Sequence, residues 1–302
     1  MKKKSITSSL LLLLAATIWG VAFVAQSVGM DYMGPLSFNG ARFLLGGMVL
    51  LPLVLFRRKK DKDRSVWRAG VSITLKGGIC CGMVLGAASL SQQIGIMYTT
   101  VGKAGFITTL YIIIVPVMGI FLKKRVSGKV WIGAALAAIG MYLLCMNEKL
   151  ALSRGDAYVF VCAVLFAVHI LVIDYFSPKA DGVELSCIQF FTAGIVSGIL
   201  AFVFEKPEIS GLINGIVPLA YAGIMSCGVA YTLQIIGQKD LDPTVASLIL
   251  SMESVVSMLA GWVILGQSLS RKELLGCALV FGAVILVQLP DRKRIEGKVQ
   301  AE

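Results

Sequence analysis

Long apolar runs recur along the whole chain, and they limit the possible folds more than any other feature of the sequence. Each holds roughly 18–24 residues, enough to cross a hydrocarbon core about 30 Å thick as a helix. Because lipid offers the backbone no hydrogen-bond partner, such runs must satisfy their own polar groups, which indicates helices. Ten helices are predicted, at 8–28, 36–56, 72–97, 103–122, 130–146, 156–176, 184–204, 213–236, 244–265 and 272–289.

The composition leaves little room for anything but a membrane domain. Hydrophobic residues make up 57% of the chain and charged residues 15%, and the mean hydropathy is +0.84. A soluble domain of this length could not bury so much apolar surface. The longest polar stretch, 57–68, is a loop rather than a domain. The sequence therefore predicts an all-α integral membrane protein.

The N-terminus resembles a signal peptide, because three lysines precede an apolar core. The apolar run continues to Val28, further than a signal core requires. We therefore expect an uncleaved first helix.

The basic residues are distributed unequally between the two sides of the membrane. With ten spans and a cytoplasmic N-terminus, about 20 of them fall inside and about 6 outside, as expected when positive charge is retained in the cytoplasm. Both termini are then cytoplasmic, in the plasma membrane. The net charge of +11 is explained by this topology and by contact with the lipid bilayer, so no nucleic-acid partner is expected.

The chain matches itself at a nearly constant offset, which indicates an internal duplication. The matched pairs include Phe43 with Phe190, Gly47 with Gly194, Gln92 with Gln234, Gly95 with Gly237, and Gly133 with Gly276. The two repeats are 1–148, with helices 1–5, and 149–302, with helices 6–10 and a short basic tail. Since each repeat has an odd number of spans, the second must insert upside down relative to the first. Inverted repeats are typical of transporters with a site at the membrane midplane.

Several short motifs resemble the drug/metabolite transporter superfamily, EamA type. They are Ala-Ala-Thr-Ile-Trp-Gly at 15–20, Ala-Arg-Phe at 41–43, Gly-Lys-Ala-Gly-Phe at 102–106 and the stretch 246–255. The resemblance implies two inverted five-helix halves around a cavity lined by helices 1, 3, 4, 6, 8 and 9. It also implies transport of amino acids, other small metabolites or drugs, frequently outward. Ser254 stands where the family often has proline, which leaves a kink in helix 9 open.

These features favour a secondary active transporter of a small metabolite, amino acid or drug-like compound, exporting it by alternating access. The alternative is a passive facilitator or channel for a small polar solute. No nucleotide-binding or hydrolase motif occurs in the sequence, so neither an enzyme nor a cofactor is expected. Protons are the candidate coupling ion. The substrate and the oligomeric state stay open.

Glu253 is the leading candidate for coupling or substrate contact. It lies about nine residues into helix 9, hence roughly 14 Å along the axis and near the bilayer midplane. Charged groups at that depth are costly and usually functional, and burial favours the protonated form of a carboxylate. The alternative is a structural role, with the carboxylate bonded to hydroxyls or to a broken helix.

Three basic or titratable side chains are weaker candidates. Arg42, in helix 2, is expected to have mainly a structural role, in which it caps carbonyls of a neighbouring helix or reaches the membrane interface. Lys103 opens helix 4 at the outer face, where it could meet an entering carboxylate or simply reach the interface. His169, the only histidine, titrates near neutral pH when unperturbed, but a lone histidine in an apolar helix is more often a packing residue.

Polar and aromatic side chains at cavity level complete the candidate set. Amides from the two inverted halves can bind polar substrate atoms, or they can only bond helix to helix; they are Gln26, Gln92, Gln93 and Gln234. The aromatic residues that could wall the cavity are Trp19, Tyr98, Tyr111, Tyr231 and Trp262. Several of them lie near helix ends, where the interfacial belt explains them without a function, so only Trp19 and Tyr111 are kept as candidates. The seven cysteines all fall in or beside apolar spans without metal-ligand spacing, so packing roles and no metal site are expected.

Overall fold

The computed structural model describes residues 2–60, 64–99, 101–123, 126–145, 153–265 and 270–288, and every regular element in them is a helix. The predicted all-α class is confirmed for these residues. The elements are α1 (Lys2–Gly29), α2 (Pro35–Lys60), α3 (Arg64–Ile96), α4 (Val101–Thr108), α5 (Tyr111–Phe121), α6 (Gly128–Cys145), α7 (Arg154–Phe176), α8 (Gly182–Phe204), α9 (Ile209–Asn214), α10 (Ile216–Ala220), a π-helix (Tyr221–Tyr231), α11 (Thr232–Gln238), α12 (Pro243–Leu250), α13 (Met252–Leu265) and α14 (Arg271–Gln288).

Eight segments in the described residues are long and apolar enough to cross a membrane. They are Ser5–Gly29, Pro35–Lys59, Ser72–Ile96, Ala104–Phe121, Arg154–Phe176, Gly182–Phe204, Ile216–Gln238 and Pro243–Ile264, and they coincide with predicted spans 1–4 and 6–9. The fifth and tenth predicted spans correspond to α6 and α14, whose apolar parts Gly128–Gly140 and Leu274–Val287 are shorter. The basic tail, 289–302, lies outside the described residues.

Two of the predicted spans are interrupted near their middle, which the sequence analysis did not predict. Span 4 breaks between α4 and α5 at Thr109, whose hydroxyl donates to the carbonyls of Gly105 and Phe106 at 3.1 and 2.9 Å. Span 9 breaks at Ser251, whose hydroxyl donates to the Leu248 carbonyl at 2.7 Å. Hydroxyls that bond back to the preceding turn compete with the helical ladder and bend helices. Because Ser254 replaces the family's proline, the sequence left open whether helix 9 is kinked. The structure places a break at Ser251, two residues before Glu253.

Helices α2 and α8 pack side by side in opposite directions and are joined at both ends. At one end, the Glu205 carboxylate accepts hydrogen bonds from the backbone N–H groups of Leu36 and Ser37, both at 2.7 Å. A carboxylate placed there satisfies unpaired N–H groups and complements the helix dipole. At the other end, Arg58 Nε lies 2.9 Å from the Glu184 carboxylate.

The remaining long helices pack in pairs, and α1 packs against the helices of the second half. Helix α3 lies along α7, α6 lies along α14, and α1 contacts α13, α12, α11 and the π-helix. A large apolar cluster includes residues of α1, α5, α12 and α14, among them Leu12, Tyr111, Ile249 and Val280, all nearly fully buried. This arrangement brings α1, both broken spans and the π-helix together at the centre of the molecule.

Candidate functional site

A central cavity lies where α1, the broken spans and the π-helix meet. Its volume is about 30 Å³, which is room for a few water molecules and less than most small-molecule sites offer. Its polar lining consists of Gln26, Arg42, Gln92, Thr108, Ser226, Gln234 and Glu253, and its aromatic and apolar lining of Trp19, Phe23, Tyr111, Phe166, Ile170, Tyr231 and Leu250.

Glu253 and Tyr111 meet in this cavity. The Tyr111 hydroxyl donates to Glu253 Oε1 at 2.9 Å, and both side chains are buried. Each stands just after a helix break, Tyr111 at the start of α5 and Glu253 in the first turn of α13. A phenol is a neutral donor, so it can bond the carboxylate without neutralising its charge. The cavity therefore holds a carboxylate with one protein hydrogen bond at a helix N-terminus.

Arg42 supplies a second charge to the cavity. Its Nη1 donates to Gln26 Oε1 at 2.9 Å, and the guanidinium lies 4.8 Å from the centre of the Phe43 ring. Only 2% of Arg42 is exposed, and its Nε has no hydrogen-bond partner. No ion pair joins Arg42 to Glu253 in the described residues, so a guanidinium and a carboxyl group face the same small space separately.

Two amides from different halves of the chain also line the cavity. Gln92 Nε2 donates to the Thr108 hydroxyl at 3.3 Å. Gln234 is 2% exposed and its Oε1 has no partner. The structure thus brings together the two glutamines that the internal duplication pairs, and Gln234 keeps an unused acceptor beside the cavity.

Aromatic rings form one wall. Trp19 and Tyr231 have ring centres 4.5 Å apart, and Trp19 Nε1 donates to the Ser226 carbonyl at 3.3 Å. Tyr231 is buried in the cavity wall, although only Trp19 and Tyr111 were kept from the sequence as aromatic candidates. Its position three residues before Gln234 puts both on one helix face, and that spacing was the available signal.

Two candidates do not line the cavity in the described structure, and the side chain of a third is not described. Gln93 is buried and donates to the Gln26 carbonyl at 3.4 Å. His169 is fully buried, with Nε2 3.2 Å from Gln189 Oε1. Lys103 lies in the first turn of α4, and its side chain is outside the described part of the chain.

Sequence reasoning also missed several lining residues. Leu250 lies within the motif 246–255, whereas Thr108, Ser226, Phe23, Phe166 and Ile170 belong to no motif. Most of the six match another lining residue across the predicted duplication. Within the described residues, no group of three or more His, Cys, Asp or Glu side chains could hold a metal, and no disulfide joins the described cysteines.

Known proteins resemble the chain over most of its length. The model of the EamA-like transporter family matches residues 6–146 and again residues 153–289. An uncharacterized transporter of Archaeoglobus fulgidus is 30% identical over 288 residues, which cover 95% of this chain and 87% of the relative. The uncharacterized inner membrane transporter YedA of Escherichia coli K12 is 24% identical over 90% of this chain and 87% of its own.

The fold is also found in a solved crystal structure. That structure superposes with a TM-score of 0.76 over 93% of this chain and 96% of its own, at 18% identity. At that identity the likeness concerns the fold alone. Two family matches, the relatives and the apolar helices agree: the chain belongs to the EamA-like transporter family and is a multi-pass membrane transporter.

Proposed function

We propose that this protein is a secondary active transporter that exports a small metabolite, amino acid or drug-like compound by alternating access. The observation that carries the proposal is the central cavity, where Glu253 and Arg42 face the same space between two broken spans. Discontinuous helices near the midplane are where secondary transporters place substrate and ion sites. A volume of about 30 Å³ is smaller than most small-molecule sites, so alternating access requires the cavity to widen when solute binds. An enzymatic role is not proposed.

The proposed architecture is ten transmembrane helices in two inverted halves, 1–148 and 149–302. The double match to the family model supports it. So does the cavity, because ten of its fourteen lining residues form five pairs at offsets of 147 or 142: Trp19 with Phe166, Phe23 with Ile170, Gln92 with Gln234, Thr108 with Leu250, and Tyr111 with Glu253.

Close glycine contacts support the same symmetry. A Cβ on Gly47 would lie 3.2 Å from the Phe191 ring, and one on Gly194 would lie 2.9 Å from Leu44. At the offset of 147, Gly47 matches Gly194 and Leu44 matches Phe191, so the two contacts are equivalent. The pattern repeats elsewhere: Gly95 against Val159 matches Gly237 against Leu12, and Gly133 against Ala283 matches Gly140 against Gly276. Reciprocal contacts of this kind are what a pseudo-two-fold axis produces.

The proposed location is the plasma membrane, with both termini cytoplasmic. The ion pair between Arg58 and Glu184 joins two helix ends that the distribution of basic residues places inside. The bonds from Leu36 and Ser37 to Glu205 join two ends that it places outside. Both contacts are therefore compatible with one topology, and it is also the topology that positive charge favours.

Glu253 is the proposed coupling group, and protons are the proposed coupling ion. It is the only acid among the cavity-lining residues of the described chain. The protonation equilibrium of a carboxyl group that is removed from water depends strongly on its burial and on nearby cations. The competing function is a passive facilitator, because one acidic side chain in the cavity offers fewer proton-binding sites than a pair would. A coupled carrier should move solute against its gradient when a proton gradient is applied, whereas a facilitator should not.

Metabolite profiling tests the proposed function directly. Medium and cytoplasm are compared between cells that express the wild type, the Glu253→Gln variant or neither protein. Export predicts that selected solutes accumulate in the medium with the wild type and return to baseline with the variant. Equal pools in all three strains, with the protein present in the membrane, would contradict export of any host metabolite.

A further inference from the structure

His169 and Gln189 form a buried polar pair beside the cavity. His169 Nε2 lies 3.2 Å from Gln189 Oε1, and both side chains are fully buried. His169 Nδ1 and Gln189 Nε2 have no hydrogen-bond partner. Since buried polar groups are normally satisfied, and unsatisfied ones cost free energy, two unused atoms on one hydrogen-bonded pair point to a ligand or a mobile neighbour.

Two cavity-lining rings lie against this pair. The ring centres of Tyr231 and His169 are 6.1 Å apart in an edge-on arrangement, and those of Phe166 and His169 are 6.4 Å apart. Tyr231 and Phe166 line the cavity, and His169 does not. The two rings therefore separate the polar pair from the cavity.

A similar pair in the other half is open to the cavity. Gln189 matches Arg42 at the offset of 147, and Arg42 donates to Gln26 at 2.9 Å. Both of those residues line the cavity. Gln26 belongs to α1 and His169 to α7, which is the matching helix. Each half thus carries a bonded polar pair between its first and second helices, and only the second pair is covered.

The cover itself differs between the halves. Tyr231 matches Ser89 at the offset of 142, so the first half has a hydroxymethyl group where the second has a phenol. Tyr231 also ends the π-helix Tyr221–Tyr231, whereas the matching stretch of the first half lies inside the continuous helix α3. Because π turns hold more residues than α turns and often mark functional sites, a change to α turns would rotate Tyr231 about the helix axis.

We propose that His169 and Gln189 form a second polar subsite of the transport cavity, which Tyr231 covers in this conformation, and that it binds an uncharged hydroxyl or carboxamide group of the transported solute. The proposal rests on the transport function and on the match between the halves. In the tautomer that carries its hydrogen on Nε2, His169 donates to Gln189 Oε1. His169 Nδ1 is then free to accept a hydrogen bond from a ligand, and Gln189 Nε2 is free to donate one. A hydroxyl or primary amide offers both complementary functions, whereas a carboxylate cannot donate to the imidazole.

Chemical labelling of the single histidine tests the cover without any substrate. The full chain is purified through a histidine-free tag, and diethyl pyrocarbonate modification of His169 is followed by peptide mass spectrometry. Tyr231→Ser should speed labelling about tenfold, because the reagent no longer needs the ring to move. Tyr231→Phe keeps the ring and should label slowly. Tyr231→Leu replaces the serine variant if that variant does not fold.

Tyr221→Ser is the matched control, because Tyr221 begins the same π-helix, is half-buried and does not line the cavity. Its labelling rate should stay at the wild-type value. Equal rates in the Tyr221 and Tyr231 serine variants, or a wild-type rate in Tyr231→Ser, would overturn the cover.

Metabolite profiling then tests the ligand. Gln189→Leu should lower export of hydroxyl- or carboxamide-bearing solutes about tenfold, since a lost hydrogen bond leaves its partner unsatisfied. Gln238→Leu, a buried glutamine outside the cavity, should leave export unchanged. Wild-type export by Gln189→Leu, or export confined to solutes with neither group, would overturn the assignment. An absence of any wild-type export would contradict transport itself, while the labelling rates would still decide whether Tyr231 is a cover.

Discussion

Tyr111 and Glu253 are 142 residues apart in the chain, and their side chains are joined by a 2.9 Å hydrogen bond in the central cavity. Each follows a break in its own span, at Thr109 and at Ser251. The bond therefore ties one broken helix to the other. A change in the protonation of the carboxylate would alter the strength of that tie, because a charged acceptor binds a donor more strongly than a neutral one.

Replacement of Glu253 by glutamine should abolish coupled transport. The amide keeps the shape of the side chain but cannot titrate, so we expect export to fall about tenfold or more and its remaining rate to become independent of pH. Export is measured across pH 5–8 with wild-type and variant protein at equal expression. Glu208→Gln, an exposed change between α8 and α9, is the control and should behave as wild type. Wild-type rates and pH dependence in Glu253→Gln would remove Glu253 from the mechanism.

Loss of the Tyr111 hydroxyl should weaken both the fold and coupling. Tyr111→Phe leaves a buried carboxylate oxygen without its donor, at a cost of about 1–3 kcal/mol. Thermal unfolding of the purified protein should reveal that loss, and export should change its pH dependence.

Tyr221→Phe provides the comparison for this variant, because it removes a hydroxyl that donates to the Ile18 carbonyl at 3.1 Å in a half-buried place. Tyr221→Phe should lower the thermal stability less than Tyr111→Phe does, and it should leave the pH dependence of export unchanged. Equal losses in the two variants would mean that the bond to Glu253 has no special role.

The two cavity amides should set apparent affinity. Gln92→Leu or Gln234→Leu removes a hydrogen bond that the bound solute keeps throughout the transport step. KM should therefore rise about tenfold, with kcat nearly unchanged. Export kinetics for the solute found by profiling measure both constants. Gln238→Leu serves as the control on the helix that carries Gln234. An unchanged KM in both cavity variants would assign these amides to helix packing.

Much of the fold follows from the sequence, because span length and charge distribution act locally. The position of Glu253 near the middle of its span was also predictable, and so was the pairing of Gln92 with Gln234. The breaks at Thr109 and Ser251 were not, since serine and threonine hydroxyls bond back to helix carbonyls in many unbroken helices.

The burial of Tyr231 was harder to predict, because it depends on the π-helix before it. That segment has no proline and consists of apolar residues, two glycines and Ser226, so its extra residue per turn reflects packing against α1 and α2. A pattern of α-helical periodicity counted from the residues before the π-helix places Tyr231 at a wrong angle about the helix axis, and only the spacing to Gln234, in α11, places it correctly. Tertiary contacts, rather than local preference, decide this part of the site.

Helix packing should be sensitive to glycines at the closest contacts and insensitive elsewhere. A Cβ on Gly82 would lie 2.6 Å from the Gln189 carbonyl oxygen, which is backbone and cannot rotate away. Gly82→Ala should therefore destabilise the protein by about 1–3 kcal/mol through overpacking. Gly198 has nothing within 4 Å of an added Cβ, so Gly198→Ala should be neutral or should stabilise by up to about 1 kcal/mol through helix propensity. Thermal unfolding in one detergent compares the two variants with the wild type. Since Gly82 faces the backbone of Gln189, a stable Gly82→Ala protein would mean that α3 and α8 can separate at the covered polar pair, and that close packing there does not hold the subsite in place.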